Sequence, residues 1–425
     1  MLTDPEFTVP PVPRATTGVA WLRANVVRFS EGEDHARRRE IVHRMLSTVD
    51  PNTLDRPGHH VATLAEALGL PRTVVHDVER IARCYQPHLP TTEEADAAVA
   101  RLVDIAGDWD EATANRIGLL VQACDSTAAL IAGHDTPVPT TRRVDRDGRV
   151  VVVPLEGRPF GEGPHACPGR AHAQALAAGA TRFRALHHGD RPLLLPNAWD
   201  FASAAALAQA GFPAVGTTSL GVAAANGLPD AAGVALPETL SLARKIARLP
   251  IPVTIDVEAG FGVDPHDLAA ELYELGVAGV NIEDARGDTL ADPEHQAAIV
   301  ARFKRGAPNL FVNARTDTHW LHVAQDETLD RVRRYADAGA DGVFVPGLTD
   351  ERAIAAVVAA VDVPVNTLAQ LDFSTLADLG VRRVSTGSLL FRVALRAAVD
   401  TALGAKDDVL PTGIPGYQDI RDLIG

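Results

Sequence analysis

Between residues 190 and 404 the chain alternates eight short apolar, β-branched runs with Ala- and Leu-rich stretches of helical spacing, and few folds accommodate that rhythm. The runs fall at 193–198, 214–219, 253–258, 280–284, 310–316, 342–347, 363–368 and 383–387. Helical patterns such as 267–275, 329–338 and 351–360 lie between them. Runs apolar on both faces suit strands buried on both sides, which occur in parallel sheets covered by helices. Eight such units predict a closed (β/α)8 barrel. Gly276, Gly279, Gly339, Gly342 and Gly380 stand just before strands, where helices end. A doubly wound open sheet is the competing architecture. No glycine-rich dinucleotide fingerprint follows the first strand, which weighs against it.

The barrel cannot be the whole molecule, because 425 residues exceed one ordinary domain. Before residue 180 the texture differs: Arg, His and Pro are scattered among helix-like stretches such as 62–68 and 112–132. The reading is an α/β chain with a TIM-type barrel preceded by a smaller, mainly helical domain. The boundaries fall at 1–178 for the helical domain, 179–404 for the barrel and 405–425 for a C-terminal tail. The net charge of −15 argues against nucleic-acid or anionic-membrane partners. Three cysteines, Cys84, Cys124 and Cys167, make no disulfide framework, so a reducing cytoplasm is expected. The first residues lack a basic and an apolar region, so no signal peptide is read, and no apolar run is long enough to span a bilayer.

Chemistry concentrates where the runs end. Asp256 and Glu258 close the third run, Glu283 and Asp284 the fourth, and Arg315 and Asp317 the fifth. Barrel enzymes carry their active sites at these C-terminal strand ends. Asp256 and Glu258, two apart on a strand, are expected to point the same way. With Glu283 they predict three converging carboxylates, whose repulsion a divalent cation would relieve. An all-oxygen set favours Mg²⁺, often through water. Arg315 is suited to a fork-like grip on a substrate carboxylate. The bland reading is that these charges pair with one another and close the barrel mouth.

Residues 190–400 resemble the isocitrate lyase/phosphoenolpyruvate mutase superfamily. The resemblance rests on Asn197-Ala-Trp-Asp, Thr218-Ser-Leu-Gly-Val-Ala, Asp256-Val-Glu-Ala-Gly-Phe-Gly, Gly279-Val-Asn-Ile-Glu-Asp, Asn313-Ala-Arg-Thr-Asp and Gly380-Val-Arg-Arg-Val-Ser-Thr-Gly, in order. It implies a Mg²⁺-dependent barrel, a homo-oligomer (dimer or tetramer), and chemistry through the enolate of a small carboxylic acid. It implies Asp256 as the most direct metal ligand, with Glu258 and Glu283 acting largely through metal-bound water. It implies Trp199, Thr218, Ser219, Leu220 and Asn313 around the substrate, and Arg315, Glu283 and the loop residue Asp230 in catalysis. The loop after the fourth strand departs from the family. Cysteine-dependent members carry a Cys there and the mutases a Lys. Here it reads Ala285-Arg-Gly-Asp-Thr-Leu-Ala-Asp-Pro-Glu-His295, leaving only Arg286 and His295 as possible stand-ins.

In the first half, Phe160-Gly-Glu-Gly-Pro-His-Ala-Cys-Pro-Gly169 resembles the proximal loop of the haem-thiolate monooxygenases. That resemblance implies Cys167 as a haem ligand, in a domain much shorter than theirs. Two functions are therefore expected. The first is a Mg²⁺-dependent lyase-type enzyme acting on a small 2-oxo or 2-hydroxy acid. The alternative is a haem-binding oxidoreductase or sensor fused to a carboxylate-binding barrel.

Overall fold

The computed structural model describes residues 1–407, 409 and 411–424. The chain divides into two units, Met1–Thr181 and Arg182–Gly425.

The first unit is helical around the segment Glu111–Ile131. Helices Gly32–Ser47, His60–Ala67, Val75–Ala82 and Glu93–Ala106 pack on it. Leu22, Val61, Ile81, Leu102, Ile117 and Leu120 form the centre of the core. Local signals set the helix ends: Thr92 and Asp110 accept from the N–H groups of Ala95 and Thr113. The unit also contains a hairpin that the mainly helical reading does not include, strands β1 (Thr140–Val144) and β2 (Val150–Pro154). Asp145 folds the turn by accepting from the N–H groups of Asp147 and Arg149, and Gly148 supplies φ +78°.

The second unit contains β3 (Leu193–Leu195), β4 (Asn197–Ala198), β5 (Val215–Thr217), β6 (Val253–Asp256) and β7 (Gly279–Glu283). A small hairpin, β8 (Ala285–Arg286) and β9 (Thr289–Leu290), follows. The remaining strands are β10 (Phe311–Arg315), β11 (Gly342–Phe344), β12 (Val365–Leu368) and β13 (Arg383–Ser385). The sheet runs β3-β13-β12-β11-β10-β7-β6-β5-β4, and its pairings are parallel. β3 and β4 are two halves of one strand, interrupted at Pro196, which has no N–H to donate. β3 pairs with β13, β4 pairs with β5, and the Pro196 carbonyl still accepts from the Gly216 N–H at 2.9 Å. That one interrupted strand joins both ends of the sheet and makes it an eight-stranded closed barrel. The expected barrel is borne out, and the open doubly wound sheet is not.

Helices Leu236–Ile246, Pro265–Leu275, Pro293–Gly306, Thr328–Asp337 and Glu351–Ala360 belong to the outer layer. Gly276 ends one of them at φ +102°, a conformation that costs a residue with a Cβ. At the strand N-termini Phe183 and His187 pack on Phe311, with the His187 ring stacked at 4.3 Å. Burial pushes the His187 imidazole down to about 3, so it is a neutral core residue. Gly279 leaves room for this plug, since a Cβ there would stand 2.8 Å from the Phe183 ring. Among the described residues no helix is long and apolar enough to cross a membrane.

Candidate active site at the C-terminal strand ends

β6, β7 and β10 pair side by side, so the ends of these strands stand together. Arg315, at the end of β10, lies between two carboxylates. Its Nη1 is 2.7 Å from Glu283 and its Nη2 is 2.6 Å from Asp317. Its Nε also donates to Asp317, and the guanidinium lies over the Phe344 ring. Burial works against this cation, but Glu283, Asp317 and Asp256 more than offset it and hold its proton still more tightly.

Asp256 accepts from the N–H groups of Ser219 (3.4 Å) and Glu258 (3.2 Å), while its own N–H donates to Thr217. Burial raises its pKa, Arg315 opposes the rise, and Asp230 adds to it. Asp230 is an exposed loop residue, yet its charge reaches Asp256, Glu258 and Glu283. Glu283 is pushed up to about 8, first by burial, against Arg315, and then by Asp256, Asp317 and Asp230.

The alternation expected for Asp256 and Glu258 does not operate. β6 stops at Asp256, and Glu258 sits outside the strand at φ +48°, a left-handed conformation unusual for a residue with a side chain. The turn sends Glu258 Oε2 to the Gly233 N–H at 2.9 Å, which pins the loop that carries Asp230. Its other oxygen, Oε1, is buried with no hydrogen-bond partner among the described residues. Burial, then Asp256 and Asp230, raise the Glu258 pKa.

The remaining expected residues divide. Ser219 begins a short helix, Ser219–Ala225, with its N–H on Asp256, buried Thr218 in the N-cap position and Leu220 in the first turn. Trp199 follows β4 and packs edge-on against Phe391. Asn313 is spent inside the barrel: its amide donates to Asn281 at 2.8 Å, which also accepts from Arg383. Arg286 folds onto the carbonyls of Glu283 and Ala285 and onto Gln296, and exposed His295 lies in the first turn of Pro293–Gly306. Neither stand-in joins the carboxylate cluster.

Three residues take roles that the strand-end pattern alone does not assign. Asp317 is fully buried with Oδ2 unpartnered, and its spacing two residues beyond Arg315 was the available signal. Arg383 is fully buried inside the barrel, with burial pushing its pKa down to about 9 and Asp256 opposing that. Nothing local marks it, since it sits in an ordinary strand. Asp284, which looks like a site residue, is a structural pin. It accepts from Thr316, the Asp317 N–H, Arg331 and Tyr335.

The fit of a metal ion rests on these donors. Among the described residues no three His, Cys, Asp or Glu side chains form a ready-made centre. The reason is visible: Glu258 has turned to Gly233 and Arg315 has captured Glu283. Mg²⁺ needs only one or two carboxylates, because it keeps several waters. Asp256, the orphaned Glu258 Oε1 and an excess of crowded carboxylates fit such an ion.

The titration of Glu283 has a measurable sign. Its folded pKa, about 8, lies above the ordinary 4.5. Between those values the folded state binds more protons than the unfolded state, so stability falls as pH rises. Metal-free protein is expected to lose melting temperature from about pH 5 to pH 8, and Glu283→Gln to flatten that slope. Melting curves across this range check it; an unchanged slope in the variant would refute the assignment.

A closed parallel barrel with a buried Asp/Glu/Arg cluster at its C-terminal strand ends defines a barrel enzyme. The family profile of phosphoenolpyruvate phosphomutase matches residues 183–405, and the chain belongs to that family. This places it among the carbon–carbon lyases and phosphonomutases of the isocitrate lyase/phosphoenolpyruvate mutase superfamily. An uncharacterized protein of Mycobacterium tuberculosis is 42% identical over 244 residues, covering 56% of this chain and 94% of that protein. The oxaloacetate decarboxylase of Ectopseudomonas mendocina is 32% identical over 238 residues, 51% of this chain and 81% of that enzyme. Among solved structures, 2,3-dimethylmalate lyase is 26% identical, with a TM-score of 0.51, over 58% of this chain and 94% of that one.

Proposed function

We propose that the barrel is a Mg²⁺-dependent lyase-type enzyme that cleaves a C–C bond of a small 2-oxo or 2-hydroxy dicarboxylic acid, with decarboxylation as the leading form. The carrying observation is the Arg315 guanidinium held between Glu283 and Asp317 beside Asp256. When bound, Mg²⁺ would supply Lewis-acid stabilisation of developing enolate charge. Asp256 would hold it, with Glu258 and Glu283 reaching it through water.

The chain's own groups do the rest. Arg315 is already fixed by two carboxylates, so it meets developing negative charge at the substrate oxygen with little reorganisation. The Leu220 N–H, at the start of a short helix, would face the substrate carboxylate, while the Ser219 N–H holds Asp256. Trp199 would limit water at that edge. Glu283, beside Arg315 and reaching the ion through water, would direct a proton to the carbon left by bond cleavage. Asp230 lies in a loop tethered by Gly233 to Glu258, which suits a group that closes over substrate. The loop after β7 forms the β8–β9 hairpin and carries neither cysteine nor lysine. That supports a reaction needing no thiol acid, and the similarity to an oxaloacetate decarboxylase points the same way.

The deciding experiment is a Mg²⁺-supplemented screen of oxaloacetate, methylisocitrate, dimethylmalate and phosphonopyruvate, read by product mass. Conversion of oxaloacetate to pyruvate is the expected result. No turnover of any member would sink the proposal.

Assembly belongs to the same reading. The last barrel helix, Leu389–Gly404, exposes Leu389, Val393, Leu395, Val399 and Leu403. Apolar rows of this kind mark protein interfaces, and a second copy of the chain is the proposed cover. Light scattering should give a dimer or tetramer, and Val393→Asp with Val399→Asp should shift it toward monomer. A monomeric wild type would refute this. The three unpaired cysteines support a cytoplasmic location.

Haem in the N-terminal unit is not part of the function proposed. Cys167 faces a cavity, so surface reaches it while neighbouring atoms still crowd it. Burial there pushes the thiol up, with the Gly169 N–H, Arg28 and Arg39 only partly opposing. A free thiol in that setting stays protonated.

A further inference from the structure

The N-terminal unit holds a cavity of about 670 Å³, the size of a drug-like ligand site. One part of its wall is apolar, from Val27, Phe29, Val121, Leu130, Leu155 and Phe160. Another part is cationic, from Arg28, Arg39, Arg142 and Arg143, against the acids Asp125 and Glu162. Glu162 is itself paired with Arg158 at 3.4 Å.

The arginines are short of anions. Arg143 is 5% exposed, and its guanidinium meets only Thr141 Oγ1 (3.2 Å) and the Arg142 carbonyl (2.9 Å). Arg39 donates to the Ala166 carbonyl at 2.9 Å, and Arg28 lies against the Phe29 ring. Among the described residues none of the three has a carboxylate at ion-pair distance. Glu31 is the anion whose field reaches Arg143 and His35, but its carboxylate lies against His165 at 3.3 Å; Arg28 acts against Arg143, and Arg143 and Arg39 both act against His165. His35 is 8% exposed and packs against the His165 ring at 4.1 Å, with Nε2 unpartnered among the described residues. A buried guanidinium with no carboxylate at ion-pair distance, beside an unpartnered imidazole nitrogen, is costly unless something fills the space.

We propose that this cavity binds an apolar organic acid, with its carboxylate on Arg39, Arg143 and the free His35 nitrogen and its body against Phe29, Leu130 and Phe160. The charge selects an anion, and the apolar wall excludes a small hydrated one such as phosphate. A porphyrin dicarboxylate would share the charge pattern but would call on Cys167 as a thiolate.

The test uses the full chain and the aromatic sulfonate 8-anilinonaphthalene-1-sulfonate, displaced by decanoate, 1-naphthoate and the matching alcohols. Saturable binding is expected, with each acid displacing the probe at least tenfold more effectively than its alcohol. Arg143→Met should weaken the acids at least tenfold. Arg39→Met, at a half-buried position, repeats the test where loss of Arg143 disturbs folding, as read by circular dichroism. Equal displacement by acid and alcohol, or unchanged affinity in folded Arg39→Met, would overturn the proposal. So would a Soret band on adding hemin that decanoate cannot prevent, because the cavity would then be a porphyrin site. Barrel turnover plays no part in the readout, so this inference stands or falls separately from the lyase proposal.

Discussion

Asp256→Asn is expected to lower kcat/KM by on the order of 10³-fold while making metal-free protein more stable at pH 8. The first effect follows from loss of a charged group fixed at the reaction centre; losses of about 10²–10³ are typical when one preorganised group is removed. The second follows from the sign of the Asp256 shift. Burial, with Asp230, raises its folded pKa above the ordinary value of 3.8. The ionised carboxylate therefore costs stability wherever pH exceeds the unfolded pKa. An amide of the same shape removes that cost, though one acceptor for the Ser219 and Glu258 N–H groups is lost. Each kcal/mol gained should appear as roughly 2–4 °C in melting temperature for a unit this size. Added Mg²⁺ should raise the wild-type melting temperature and leave the variant nearly unmoved. A variant that keeps the Mg²⁺ shift would remove Asp256 from the metal site.

Arg315→Met is expected to have the opposite effect on stability and an equally severe effect on activity. The substitution strips the cation from Glu283 and Asp317, both buried. Breaking one side of a buried ionic cluster costs about 3–5 kcal/mol. The loss should grow as pH rises and shrink in acid, where the stranded carboxylates take up protons. Arg315→Lys separates charge from geometry. A single ammonium cannot reach both carboxylates as the planar fork does, so stability should return in part while turnover stays at least about 10²-fold down. Denaturant melts at pH 5 and pH 8, with kcat and KM read separately, decide the matter. If Lys restores turnover, Arg315 contributes charge alone.

How legible the site was depends on the residue. Asp256, Glu283 and Arg315 could be read because each closes an apolar run, and a barrel puts strand ends at one mouth. Glu258 could not be placed by alternation, because the chain leaves the strand at Asp256 and passes through a positive φ. Asp284 and Asp317 look alike in sequence. One is fully hydrogen-bonded to Thr316, Arg331 and Tyr335, and the other faces Arg315 with an oxygen to spare. Arg383 was invisible, since a buried guanidinium is recognised only when the strands around it are known.

The sequence by itself determined the barrel. Period and spacing act locally, and eight buried strands alternating with helices have few ways to cover both faces of a sheet. It also determined which strand ends carry charge. Only the tertiary structure decided how those charges are shared: Glu258 to the loop of Asp230, Glu283 and Asp317 to Arg315, and Asp256 left with backbone N–H groups. It alone joined distant arginines and histidines around the N-terminal cavity. Burial and pairing depend on residues far apart in the chain, and no local pattern contains that distance.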